Sequence, residues 1–119
     1  MTKCLICENE LTMTSCRCDA CHTDYSGSFI LPRLARLGRE EQHLAEALIL
    51  HGGNLKEMAE DINISYPTLK KRLKELSNSL AQKKQQDEMR IEEILKEIEL
   101  GKIGAEEGIK LIREINGEL

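Results

Sequence analysis

The spacing of apolar residues changes character along the chain. Up to about Ser28 no helical period is present, and stretches such as "ELTMT" between pairs of cysteines are suited to a β-hairpin. From Arg39 the period becomes helical. Leu44, Ala47, Leu48 and His51 share one face of a first helix, which "GG" at Gly52–Gly53 stops. Asn54 and Glu57 make a capping-box-like start to a short second helix, with Leu55, Ala59 and Ile62 facing inward. Asn63-Ile64 forms a turn. Ser65 caps a third helix, and Pro67 fits its first turn, where a missing N–H leaves no intrahelical bond unmade. That helix buries Leu69, Leu73, Leu76 and Leu80. After the polar stretch "AQKKQQDEMR", a second apolar set follows: Ile91, Ile94, Leu95 and Ile98. "GKIG" turns the chain at Gly101–Gly104, and a last helix from Ala105 to about Ile115 presents Ile109, Leu111, Ile112 and Ile115.

Composition narrows what these elements can build. With 119 residues, one Phe, two Tyr and no Trp, the chain is poorly supplied for one large core. Small modules held by a metal or by self-association suit it better. No apolar run approaches the length needed to span a bilayer, and the N-terminus lacks a basic-then-apolar signal pattern, so a soluble, cytoplasmic protein is expected. In that compartment five cysteines point to metal ligation rather than disulfides.

Four of the cysteines fall into C-x2-C pairs, "CLIC" (Cys4, Cys7) and "CDAC" (Cys18, Cys21). Each turn aims two thiolates at one point, and two turns complete a four-sulfur tetrahedral shell that suits structural Zn²⁺. A closed shell leaves no coordination position for catalysis. Metal binding worth roughly 10–16 kcal/mol in small zinc modules would also supply the folding energy that a small core lacks. Cys16, in "SCRC", is a spare thiol or a redox thiol that exchanges with Cys18. His22, adjacent to Cys21, reads as a surface group rather than a ligand.

The fold class expected is mainly α with a small N-terminal β zinc ribbon, a helix-turn-helix core and a C-terminal helical hairpin. The segments are a ribbon over residues 1–28, a connector over 29–38, a helix-turn-helix domain over 39–84 and a hairpin over 85–119, the last for oligomerisation. The net charge of −4 conceals strong segregation. Residues 39–65 carry −4, residues 66–84 carry +5 and residues 85–119 carry −5. The basic excess thus coincides with the third helix. With the leucines inward, Tyr66, Thr68, Lys70, Lys71 and Lys74 face outward as candidate contacts to duplex DNA. Tyr66 and Thr68 sit nearest the base edges, and the lysines meet phosphates. A Lys-rich outer face is also what an ordinary solvated helix shows. The capped helices, the tight turn and the confinement of positive charge favour DNA.

Together these residues resemble a known pattern. "CLIC…CDACHTDYSGSFILPRLARL…GNLKEMAEDINISYPTLKKRLKEL" is similar to an uncharacterised bacterial family in which a zinc ribbon precedes a helix-turn-helix. The helix-turn-helix part also resembles the DNA-binding segment of the factor-for-inversion-stimulation family. The resemblance implies metal ligation by Cys4, Cys7, Cys18 and Cys21, and a recognition helix carrying Tyr66, Thr68, Lys70 and Lys71. Glu8 and His22 depart from it, standing where zinc knuckles often have Gly, and Cys16 is additional. "RIEEILKEIELGKIGAEEGIKLIREI" is similar to a short helical hairpin attached to many bacterial proteins.

The hairpin's apolar set, Ile91, Ile94, Leu95, Ile98, Ile109, Ile112 and Ile115, exceeds what two helices bury alone, so a homodimer is expected. The reading is a zinc-containing, dimeric, DNA-binding transcriptional regulator. Its alternatives are an adaptor docking on a protein partner such as the transcription machinery, and a thiol or zinc redox sensor acting through Cys16. No Ser/His/Asp grouping, paired acids or phosphate loop suggests an enzyme; His43 and His51 stand on a helix without evident partners.

Overall fold

A computed structural model of the chain describes residues 3–118. Residues 1, 2 and 119, the outer ends of the expected 1–28 and 85–119 segments, lie outside the described residues. The described part is mainly helical, with a two-stranded sheet near the N-terminus and four α-helices. The chain divides into two compact units, one of Arg33–Gln86 and the other of Met1–Pro32 with Asp87–Leu119. No described helix is long and apolar enough to cross a membrane.

In the first unit, a 3-10 turn over Arg33–Arg36 leads into α1 (Arg39–Leu50), α2 (Leu55–Ile62) and the start of α3 (Tyr66–Glu99). The core is Met58, Ala59 and Leu69, flanked by Leu44, Ala47, Leu48, Leu55, Ile62, Ile64 and Leu73. Met58, which the sequence reading passed over, is fully buried beside Ala59. Burial of one such side chain stabilises by about 1.5–3 kcal/mol. Small Ala59 lies between the larger neighbours.

The caps decide where each helix stops. Gly52 is left-handed at φ 59°, and the N–H groups of Gly52 and Gly53 close back on the Ile49 and Leu48 carbonyls. At the end of α2, Asn63 is left-handed at φ 62°, Asn63 N–H reaches the Glu60 carbonyl and Ile64 N–H reaches the Ala59 carbonyl at 3.0 Å. This double closure is a Schellman motif, and it points Ile64 back into the core. Asn54 caps α2 by accepting from Glu57 N–H at 3.3 Å. The reciprocal arm of the expected capping box is replaced, because the Asn54 N–H is donated to the His51 carbonyl. His51 Nε2 lies 3.1 Å from Asp61 Oδ2 and ties the end of α1 to α2.

The connector is more ordered than its composition suggests. Leu37 is completely buried, and Gln42 donates to the Ala35 and Leu37 carbonyls, fastening the 3-10 turn to α1. The helix α3 also runs unbroken through "AQKKQQDEMR", across the expected boundary at 84/85.

In the second unit, β1 (Met13–Arg17) pairs antiparallel with β2 (Asp24–Phe29), in the register Cys16↔Tyr25 and Arg17↔Asp24, with an irregularity between Met13 and Ser15. The sequence expectation of a hairpin lying between the two cysteine pairs is corrected here. Only β1 lies between them, and the second pair forms the turn that joins β1 to β2. Arg17 clamps that turn through a two-point contact with Asp24, Nε to Oδ1 at 2.6 Å and an NH2 group to Oδ2 at 3.1 Å.

The same unit contains the end of α3 and α4 (Ala105–Ile115). Left-handed Gly101 ends α3 with Lys102 N–H on the Glu97 carbonyl. Gly108 faces inward. A Cβ there would stand 2.3 Å from Ile98 Cδ1 and 2.7 Å from its Cγ1, so α4 approaches α3 at a distance only glycine allows. Ile94 is buried, and Ile91, Ile98, Ile103, Leu111, Ile112 and Ile115 are half-buried.

Candidate metal site and nucleic-acid face

The two cysteine turns are built alike. Cys4 N–H donates to the Asn9 carbonyl and Glu8 N–H to the Cys4 carbonyl; Cys18 N–H donates to the Thr23 carbonyl and His22 N–H to the Cys18 carbonyl. Glu8 and His22, at matching places, are both left-handed, with φ 61° and 60°. The non-glycine residues therefore adopt the conformation for which knuckles often use Gly. This bending back of each turn brings its cysteines together. Cys4 Sγ accepts from Ile6 N–H at 3.4 Å, and Cys21 Sγ lies 3.0 Å from the Thr23 hydroxyl.

These bonds act on the thiols. The Cys7 N–H, followed by the Ile6 N–H and the Cys7 thiol, holds Cys4 below the ordinary thiol range. The Thr23 hydroxyl, then the Thr23 N–H and the Cys18 thiol, does the same for Cys21. Both shifts favour the thiolate, the form that ligates metals. The structure thus draws the four predicted ligands into two pairs, Cys4 with Cys7 and Cys18 with Cys21. Among the described residues it gathers no group of three or more His, Cys, Asp or Glu side chains around one point. Cys16 is exposed on β1 opposite Tyr25, two residues before the second turn. Leu5 and Ile6, at the tip of the first turn, are 85% and 95% exposed.

On the other unit, Ser65 positions the start of α3. Its Oγ accepts from Thr68 N–H at 3.3 Å and lies 2.7 Å from the Thr68 hydroxyl. Tyr66, Thr68, Lys70, Lys71 and Lys74 are all exposed, while Leu69 is buried and Leu73 half-buried. Two details were not legible in the sequence. The Thr68 hydroxyl is engaged in the cap, which leaves Tyr66 as the freer polar group at this helix end. Lys70 Nζ also lies 5.5 Å from the centroid of the Tyr66 ring, one helical turn away, in a cation–π contact. Arg72 belongs to a different face. With Glu40, Glu41 and Glu75 it lines a groove of about 660 Å³ whose floor includes Leu44, Ala47 and Leu76.

Of the expected oligomerisation residues, Ile94 is buried and Ile91, Ile98, Ile112 and Ile115 are half-buried, while Leu95 and Ile109 each keep about half their surface exposed. The hairpin's unit covers more of this set than the sequence reading supposed.

The family model described as "Domain of unknown function (DUF2089)-HTH" matches residues 37–83, a span that holds α1, α2 and the basic part of α3. The match supports an uncharacterised family with a helix-turn-helix. No curated protein and no solved structure gives a significant match to the chain.

Proposed function

We propose that the protein is a DNA-binding transcriptional regulator whose α3 enters the major groove, with a structural zinc ion in its N-terminal module and a dimerising C-terminal hairpin. The observation that carries this reading is the Schellman-closed, Ser65-capped turn between α2 and α3, which presents Tyr66, Lys70, Lys71 and Lys74 on one exposed face. Braced by Met58 and Ala59, α2 fixes the angle at which α3 is held. The lysines supply phosphate contacts and orientation, and Tyr66 is the side chain best placed for a base edge. Fluorescence anisotropy with duplex DNA tests it. Lys70→Ala/Lys71→Ala should weaken binding about tenfold or more, and unchanged affinity would remove α3 as the reading element.

The two knuckles fit a soft divalent cation. Each presents two sulfurs from a backbone turn already closed by its own hydrogen bonds, and two of the thiols are biased toward thiolate. Cys4, Cys7, Cys18 and Cys21 would hold the ion, which would serve to fasten the sheet. One equivalent of zinc is expected per chain, lost in Cys18→Ser and retained in Cys16→Ser, as read by elemental analysis of the purified proteins. Retention in the first or loss in the second would reassign the ligand set.

A second reading, an adaptor that docks on a protein partner, is favoured by Leu5 and Ile6, whose large side chains stand out at the tip of the first knuckle. It would be preferred if a selected DNA pool showed no enrichment while Leu5→Ser/Ile6→Ser abolished capture of a defined partner.

A further inference from the structure

The outer face of α4 carries an ordered set of charges. Glu106, Ile109, Lys110 and Arg113 follow at spacings of three, one and three and form one stripe on the helix. Gly108 marks the inward direction through its contact with Ile98. The stripe borders a groove of about 500 Å³ that Glu114 and Glu118 also line. Ile109 is 49% exposed. Among the described residues, Glu106, Lys110 and Arg113 have no ion-pair partner in their own chain.

The order of signs along this stripe decides what can cover it. Reversing the stripe, as an antiparallel helix does, places position 106 against 113 and position 109 against 110. Glu106 then meets an arginine and Ile109 meets the aliphatic stem of a lysine, and the symmetric half repeats both pairings. A shift of one residue brings Lys110 against Lys110, a shift of four brings Lys110 against Arg113, and the register that sets Glu106 against Lys110 leaves Ile109 and Arg113 opposite residues outside the stripe. A parallel pairing places every charge against its own kind. The stripe is therefore complementary to itself, and only this antiparallel register matches all four of its positions.

We propose that a second copy of this chain docks on the hairpin through an antiparallel, two-fold α4–α4 contact. Glu106 of each copy pairs with Arg113 of the other, and the two Ile109 side chains are covered between them. The two charge pairs bracket about 10 Å of helix. This rests on the homodimer reading above and specifies its surface. Exposed ion pairs add little attraction each, so their main effect is to reject wrong registers.

Sedimentation equilibrium on the full chain tests the proposal. Wild type is expected to dimerise. Glu106→Arg sets arginine against arginine at both ends, and Arg113→Glu sets glutamate against glutamate. Each alone should weaken self-association by about tenfold or more. Mixing the two single variants should restore dimerisation, because each hetero-pair again joins opposite charges, and the double variant Glu106→Arg/Arg113→Glu should dimerise as wild type does. These positions are exposed, and helical content by circular dichroism should be unchanged in all variants. A wild-type chain that stays monomeric would overturn the homodimer reading itself. A dimeric wild type with single variants that associate normally, or with a mixture that does not recover, would overturn the α4 surface and leave the homodimer reading standing.

Discussion

Glu8 and His22 hold a backbone conformation that ordinary L-residues adopt at a cost of roughly 1–2 kcal/mol, and they do so at matching places in the two cysteine turns. The cost is tolerated because each residue's N–H must reach back to the first cysteine's carbonyl. Replacing either by Gly should relieve about 1 kcal/mol and raise the melting temperature of the module, whereas Val at either position should lower it; thermal unfolding followed at a β-sheet wavelength reads both. The raised acidities of Cys4 and Cys21 have a second consequence. A depressed thiol stabilises the folded turn above the unfolded-state value, and that contribution is lost as pH falls through the folded value. Alkylation of the metal-free protein by iodoacetamide should therefore persist at Cys4 and Cys21 to lower pH than for a cysteine in an unstructured peptide. Coincident pH profiles would refute this. The cysteine spacing made the pairs legible, and Glu8 and His22 stood out as residues where knuckles often have Gly, but the left-handed backbone they adopt there became visible only in the structure.

Gly108 governs the hairpin at the level of elements. Adding one methyl group, in Gly108→Ala, would drive Cβ into Ile98 and should cost about 1–3 kcal/mol, loosening α4 from α3. Hydrogen exchange of the α4 amides should show this as faster opening of that helix than of α1 and α2. The helices were the most legible part of the chain. Asn54, Ser65 and the glycines at 52 and 101 act at the boundaries their chemistry indicated, and the leucines of α3 fall inward as their spacing required. Two things escaped. Leu37 is buried although "LPRLARLG" reads as a connector, because its environment comes from tertiary packing and not from local period. The strand pairing was misplaced because a hairpin between the knuckles and one spanning the second knuckle share the same local pattern.

For the whole molecule, the separation of charge sets how the proposed DNA contact behaves. The chain is acidic overall, and its excess of cations is confined to residues 66–84. Binding through Lys70, Lys71 and Lys74 alone should give a slope of about −3 in a plot of log affinity against log salt, falling to about −1 in Lys70→Ala/Lys71→Ala. A much steeper wild-type slope would point to cations elsewhere in the chain. Which bases are read was not legible, since the Ser65–Thr68 hydroxyl contact and the Lys70–Tyr66 stacking depend on side-chain placement that no motif encodes. The closures at the helix ends carry one more consequence, for the rate at which the chain folds. The helices α1, α2 and α3 end on left-handed Gly52, Asn63 and Gly101 through bonds to residues three to five positions earlier, and Asn54 and Ser65 start α2 and α3 through bonds three positions ahead. Each boundary can thus form before any distant contact exists. Chains dominated by such short-range interactions cross their folding barrier in microseconds to milliseconds. The segment from α1 to the basic part of α3 should accordingly reach its shape in that range after a temperature jump, within the time a ribosome takes to add a single residue.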